Sequence, residues 1–351
     1  FIGLIAISLI SFFNSVNLKS SIQGIEKLLK YGILFVTVAD SLRDKKHLRW
    51  IIMALIFGLT MASIDGFYSL AFGKDFLRHS PPDFDPRIGT YRLKAACSDA
   101  NLFGGYIALF LPVLLAFALY YSGGRKRIVL LAFSTVSLAA VIFTFSRSAI
   151  FGVWLALFFM ARLKKDRPII FLLIVALLAA PFIFIMSGNI REWIRTETSS
   201  FWEILLNYDR PLIYRVALEM IKTHPFIGVG VNTFSLNFQK HKHIANIKLA
   251  DASGLYAHNI YLHLPAEIGL IGLAVFIYIL WRIFKTWYMF NRNTQDLFLK
   301  TAGMGIIAGI IAFLVNGLTE TNLYTPKVAT LFFFIIGLFF GVNKIAKEGN
   351  L

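Results

Sequence analysis

Apolar residues fall in runs of roughly 17–25 along this chain, separated by short polar stretches, the length that a bilayer core demands of a helix. The runs are continuous rather than alternating, so they read as helices, which satisfy their own backbone groups in lipid, and not as barrel strands. Residues 1–13 read as the tail of one span and residues 28–42 as a short second one, followed by spans at 50–72 and 102–121. The apolar stretch 128–161 is too long for one crossing and reads as a hairpin, turned at its only polar interruption, Thr144-Phe-Ser-Arg-Ser148. Spans at 169–186, from Asn259 through Trp281, at 301–318 and at 328–342 bring the number to about ten. In the span after Asn259, Pro265, Gly269 and Gly272 read as ordinary kink and packing residues of a membrane helix. The expected fold is an all-α, polytopic membrane protein with a single transmembrane domain over residues 1–351. Because the chain begins at Phe1 inside an apolar run, residues upstream and twelve helices in the full-length protein are expected.

Two longer segments lie between spans. Residues 73–101 carry Pro81, Pro82 and Pro86 among mixed charges and predict a folded loop rather than a helix. Residues 188–257 place Ile190, Trp193 and Ile194, then Phe201, Trp202, Leu205 and Leu206, at the spacing of helices lying in the interface. Within them residues 209–222 predict an amphipathic helix, with Asp209 as N-cap, Pro211 in its first turn, and Ile213, Val216, Met220 and Ile221 on its buried face. Pro225, Gly228 and Gly230 end it in a turn.

Charge changes the picture by orienting it. The formal net charge is +16, but the basic residues sit in short clusters between spans: Arg43 to Arg49, Arg125 to Arg127, Arg162 to Arg167, Arg282 to Lys300, and Lys344 with Lys347. These alternate with every uncharged or mixed loop, as the positive-inside rule requires, which accounts for the charge and argues against nucleic acid as a partner. A composition that is 57% hydrophobic, with mean hydropathy +0.68, excludes a soluble globular domain. Cys97 is the only cysteine, which excludes an intramolecular disulfide and a cysteine metal cage. His241 and His243 flank Lys242 without accompanying carboxylates, and no nucleotide-binding fingerprint is present, so no cofactor and no metal are expected.

That orientation puts Arg147, Arg210, Arg215, His258 and Glu320 on one, extracytoplasmic, face. An arginine between two spans, such as Arg147, is costly unless it is paired, hydrated or snorkelled, and it serves either as a headgroup anchor or as a bidentate anion clamp. Arg210, in a first helical turn, opposes the helix dipole and is more easily justified by an external anion. Arg215 points to another side of that helix, as a second clamp or a solvated residue. His258, at the mouth of its span, is either a hydrated surface histidine or a neutral base for a hydroxyl, with Asn259 able to orient the imidazole or a ligand. Asp65 and Glu267 are intramembrane acids, the feature on which a lipid-linked sugar transporter or flippase would depend.

Taken together, Ile88-Gly-Thr-Tyr-Arg92 with Asn101, Thr144-Phe-Ser-Arg-Ser148, the stretch from Arg210 through His224-Pro-Phe-Ile-Gly-Val-Gly230, and Ala257-His-Asn-Ile-Tyr-Leu with Glu267-Ile-Gly-Leu-Ile-Gly-Leu273 resemble the O-antigen ligase and polymerase superfamily of bacterial envelope glycosyltransferases. The resemblance implies a GT-C-like fold in the bacterial inner membrane and a metal-independent, inverting transfer at its periplasmic face. The donor would be a glycan on undecaprenyl pyrophosphate and the acceptor a lipid A-core hydroxyl or another glycan, among membrane lipids. It assigns pyrophosphate binding to Arg147 and Arg210, acceptor activation to His258, and a supporting role to Glu320. Tyr214 stands where the family usually has tryptophan, which leaves Arg210 and Arg215 as alternatives for one clamp position. An O-antigen ligase is the leading expectation; a polymerase or a protein O-oligosaccharyltransferase shares the same motifs.

Overall fold

A computed structural model describes residues 1–85, 89–169, 210–244 and 256–349. Helices form where the apolar runs lie: α1 (Ile2–Ile10, continued by a 3-10 turn at Ser11–Asn14), α2 (Leu18–Ser41), α3 (Lys45–Phe72), α4 (Ala100–Tyr120), α5 (Gly124–Phe143) and α6 (Arg147–Lys164). They are followed by α7 (Arg210–Thr223), α8 (Phe234–Ile244), α9 (Ile260–Asn293), α10 (Leu297–Asn316) and α11 (Pro326–Glu348). Among the described residues six of these, α3, α4, α5, α9, α10 and α11, are long and apolar enough to cross a bilayer. The protein is a multi-pass helical membrane protein.

The helical membrane architecture expected from the sequence is what forms, and the loop of residues 73–101 adds one short antiparallel pair, β1 (Asp83–Asp85) and β2 (Thr90–Arg92), with Asp83 opposite Arg92 and Asp85 opposite Thr90. The structure corrects the sequence reading in two places. The second helix begins at Leu18, not at residue 28, since the small residues Ser21 and Gly24 bury one side of the segment before the apolar run. The break in α9 falls at Ile268 and Gly269, not at Pro265, which α9 accommodates close to its start without leaving helical geometry. The span expected at 169–186, the interfacial helices of 190–206 and the Asp209 cap lie outside the described residues.

The chain folds as two compact units. One comprises Ala39–Thr198, Met289–Asn316 and Leu338–Leu351. At its centre α10 packs on α4 and α6, and α4 also meets α5. Small residues let these backbones close on one another: a methyl group on Gly309 would meet the carbonyl oxygen of Leu109, and one on Gly152 that of Ala312. The other unit comprises Phe1–Val38, Ser199–Tyr288 and Gly317–Gly337. Its core joins Ile213, Val216, Ala217 and Met220 of α7 to Phe234 and Phe238 of α8, and to Val229, Ala257 and Ala266.

Candidate functional site

The head of α9 is built by local rules. Asn259 caps it, its Oδ1 accepting the N–H groups of Tyr261 (2.8 Å) and Leu262 (3.1 Å). His258 therefore lies just outside the helix rather than in its first turn, in left-handed backbone with φ of 49°. For a residue with a β-carbon that conformation is strained and persists only when neighbours over-determine it. The neighbours are evident: the Tyr214 hydroxyl donates to the His258 carbonyl at 3.1 Å, and the Ile260 N–H donates to the Gly317 carbonyl at 2.9 Å.

Glu320, in the turn before α11, is the hub of this end of the unit. Its Oε1 accepts from Arg210 Nη2 at 2.6 Å, and its Oε2 lies 3.5 Å from His258 Nδ1, close enough for electrostatic attraction but outside good hydrogen-bond geometry. Burial pushes the Glu320 carboxyl up, but His258 and Arg210 together outweigh burial and hold it below the ordinary glutamate value. The carboxylate is thus ionised, and it favours a proton on the His258 nitrogen facing it. The other nitrogen, Nε2, is then left with a free lone pair on a side chain that is 38% exposed. A part-exposed imidazole with one nitrogen oriented by an acid and the other open is suited to accept a proton from a hydroxyl.

The arginines separate. Arg210 is nearly buried and paired, whereas Arg215 lies on the exposed face of α7, away from Ile213, Val216 and Met220. Arg147 belongs to the other unit, at the start of α6, where its side chain is exposed. The turn that carries it is rigid. Arg92 donates Nε–H to the Thr144 carbonyl at 2.9 Å and faces Asp85 at 3.5 Å, while its other terminal nitrogen meets Asn101 Oδ1. Asn316 Nδ2 donates to Ser148 Oγ at 2.8 Å. The arginine of the Gly-Thr-Tyr-Arg motif therefore fixes the turn before Arg147, a role that sequence spacing did not reveal.

Residues 132–277 match the Wzy_C family model, described as O-antigen ligase. Over this segment the chain is similar to the O-antigen ligase family. The family is one of membrane glycosyltransferase-like enzymes acting on lipid-linked glycans. The matched segment contains Arg147, Arg210, Arg215, His258 and Asn259, while Glu320 lies beyond it. No curated protein matches the chain significantly.

The matched segment also holds the broken helix. At Ile268 and Gly269 α9 leaves helical geometry, and the loop after α7 takes over the freed backbone groups. The Val229 N–H donates to the Ala266 carbonyl (2.9 Å), that of Gly230 to Glu267 (3.0 Å), and that of Leu270 to Pro225 (2.8 Å). The two backbones touch, so a methyl group on Gly228 would lie 2.3 Å from the Glu267 carbonyl carbon and one on Gly269 2.0 Å from the Phe226 oxygen. Both glycines also have positive φ. Glu267 completes the joint, accepting the N–H groups of Asn232 (2.7 Å) and Phe234 (2.9 Å). Asp65 likewise accepts a backbone N–H, from Phe76 at 2.7 Å. The two intramembrane acids thus serve as acceptors for backbone donors, a structural use that a transported proton or ion does not require.

Proposed function

We propose that this protein is an O-antigen ligase that transfers a glycan from undecaprenyl pyrophosphate to a lipid A-core hydroxyl at the periplasmic face of the bacterial inner membrane. The observation that carries the reading is His258, with one imidazole nitrogen facing the buried Glu320 carboxylate and the other open, inside the segment that matches the family. His258 Nε2 takes the proton of the acceptor hydroxyl as its oxygen bonds to the anomeric carbon. The bond from that carbon to the pyrophosphate breaks, and its electron pair leaves on the phosphate oxygen. Arg210 stabilises that charge through the guanidinium N–H groups that Glu320 does not occupy, with Arg215 as the alternative clamp on the same helix. Base and leaving group stand on opposite sides of the sugar, so the anomeric configuration inverts. The chemistry needs no metal, because fixed guanidinium groups neutralise the departing pyrophosphate.

An apolar cleft lined by Leu28, Tyr31, Leu264, Ile268, Phe276 and Phe333 supports a polyprenyl donor, since it runs along the same helix that His258 precedes. The ten-span, GT-C-like architecture belongs to the same proposal. Its test combines purified protein, undecaprenyl-pyrophosphate glycan, lipid A-core and excess chelator, with His258→Ala alongside. A single shifted lipid A-core band, lost in the variant, is expected. A ladder of lengthening lipid-linked glycan would replace the ligase by a polymerase, and equal transfer by the variant would remove His258 as the base.

A further inference from the structure

A second histidine stands behind His258 and takes no part in the transfer chemistry. His263 lies in the first turns of α9 with its side chain 1% exposed. Its Nδ1 accepts the N–H of Ala257 at 3.1 Å, and Ala257 is itself fully buried. A ring nitrogen that accepts has no proton, so the neutral imidazole carries its hydrogen on Nε2, which lies 3.4 Å from Glu267 Oε1, near enough for electrostatic attraction but outside good hydrogen-bond geometry. The faces of the ring are covered as well, by Phe234 at 4.5 Å and Tyr324 at 3.9 Å between centroids, with Tyr256 at 5.8 Å. Glu267 cannot shift without releasing the two backbone N–H groups it accepts. The imidazole is thus held by its Nδ1 bond and enclosed by aromatic rings, with Glu267 the acid nearest its other nitrogen.

Its bond to the turn is the one to Ala257, the residue before His258. The left-handed backbone at His258 is anchored on its following side by Tyr214 and by the Ile260 amide; on its preceding side the anchor is His263. We propose that His263 is a positioning residue that holds the left-handed turn at His258 through the Ala257 amide and so presents the His258 imidazole to Glu320. The inference rests on His258 being the base of the transfer reaction, and it adds a link, from His263 to the Ala257 amide, that orients that base from inside α9.

Packing alone and positioning make opposite demands on this site. Packing needs a flat ring; positioning needs an acceptor where Nδ1 lies. His263→Phe keeps the ring and removes the acceptor, whereas His263→Asn sets an amide oxygen near the Nδ1 position and removes much of the ring. The full chain, labelled with ring-15N histidine and reconstituted in nanodiscs, is titrated by NMR, the His258 signal being assigned by its absence in His258→Ala. The charged and titratable groups facing that ring, Glu320 with its partner Arg210, and Tyr214, are the same in every variant. Expected for His263→Phe are a displaced His258 titration midpoint and a kcat about 100-fold lower, with KM within about twofold, because a misplacement on the order of 1 Å costs that much. His263→Asn is expected to restore the midpoint and most of kcat. Near-normal behaviour of His263→Phe with impairment of His263→Asn would overturn the proposal, as would an unchanged His258 titration in both. Amide exchange in the unmodified protein supplies an arm that needs no variant: Ala257 is expected to be protected, and rapid exchange there would sink the idea. A wild-type protein without glycan transfer would end the ligase reading while leaving the titration and exchange arms to decide this one.

Discussion

Replacing Glu320 by Gln removes one negative charge from a pair whose side chains are 13% and 11% exposed and whose closest atoms are 2.6 Å apart. At an effective dielectric constant of about 20, two unit charges at 4 Å attract by roughly 4 kcal/mol, and breaking a buried pair from one side typically destabilises by about 3–5 kcal/mol because the partner is stranded. An amide keeps an acceptor for Arg210, so a loss of about 2–3 kcal/mol is expected for Glu320→Gln. In a double-mutant cycle with Arg210→Met, read by SDS-induced unfolding in mixed micelles, the second change is expected to add little to the first. A coupling of about 2 kcal/mol is the signature of a stranded charge. The double variant should be about as stable as Glu320→Gln alone and should not regain glycan transfer. Acid supplies an independent check. The folded Glu320 carboxyl binds its proton less readily than the unfolded one, so the unfolded state takes up more protons as pH falls. The contribution is complete above the ordinary value of 4.5 and is lost as pH falls through the lower folded value. Glu320→Gln should therefore flatten the acid limb of the stability curve. Additive single losses, with an acid limb as steep as in the unmodified protein, would refute the pair as a source of stability.

Gly269→Ala forces a methyl group into the Phe226 carbonyl oxygen at a position with φ of 73°, so a loss above about 3 kcal/mol or failure to fold is expected, read as detergent-resistant folded yield. Arg92→Met removes the guanidinium facing Asp85 and frees the Thr144 carbonyl, and is expected to destabilise by about 2 kcal/mol and to lower glycan transfer further than its melting shift explains, since the turn before Arg147 loosens. Lys45→Ala breaks a 2.6 Å pair with Asp296 whose side chains are 51% and 32% exposed, and a change within about 1 kcal/mol is expected by the same unfolding assay.

Run length and periodicity were enough to place several of the helices. A hydrocarbon solvent allows only self-satisfied helices of a set length, so apolar run length places α3, α4 and α5, and an overlong run with one polar interruption places the α5–α6 turn at Thr144 to Ser146. The amphipathic face of α7 was legible for the same reason: burial of Ile213, Val216 and Met220 follows a 3.6-residue period. The site was legible only as residue types at spacings. Which of them meet was settled by the folded chain. Glu320 lies over a hundred residues from Arg210, and no periodicity connects them, yet the turn before α11 carries its carboxylate to both Arg210 and His258. Gly269 read as an ordinary packing glycine because a helix break is invisible in an unbroken apolar run; it exists because a second backbone, residues 225–230, replaces the lost hydrogen bonds. Arg92 and His263 were passed over since each acts through a backbone group of another segment, and backbone groups have no sequence signature. Local periodicity fixes which residues are helical and which face is apolar, whereas long-range pairing of charges and backbone amides depends on where the fold brings them.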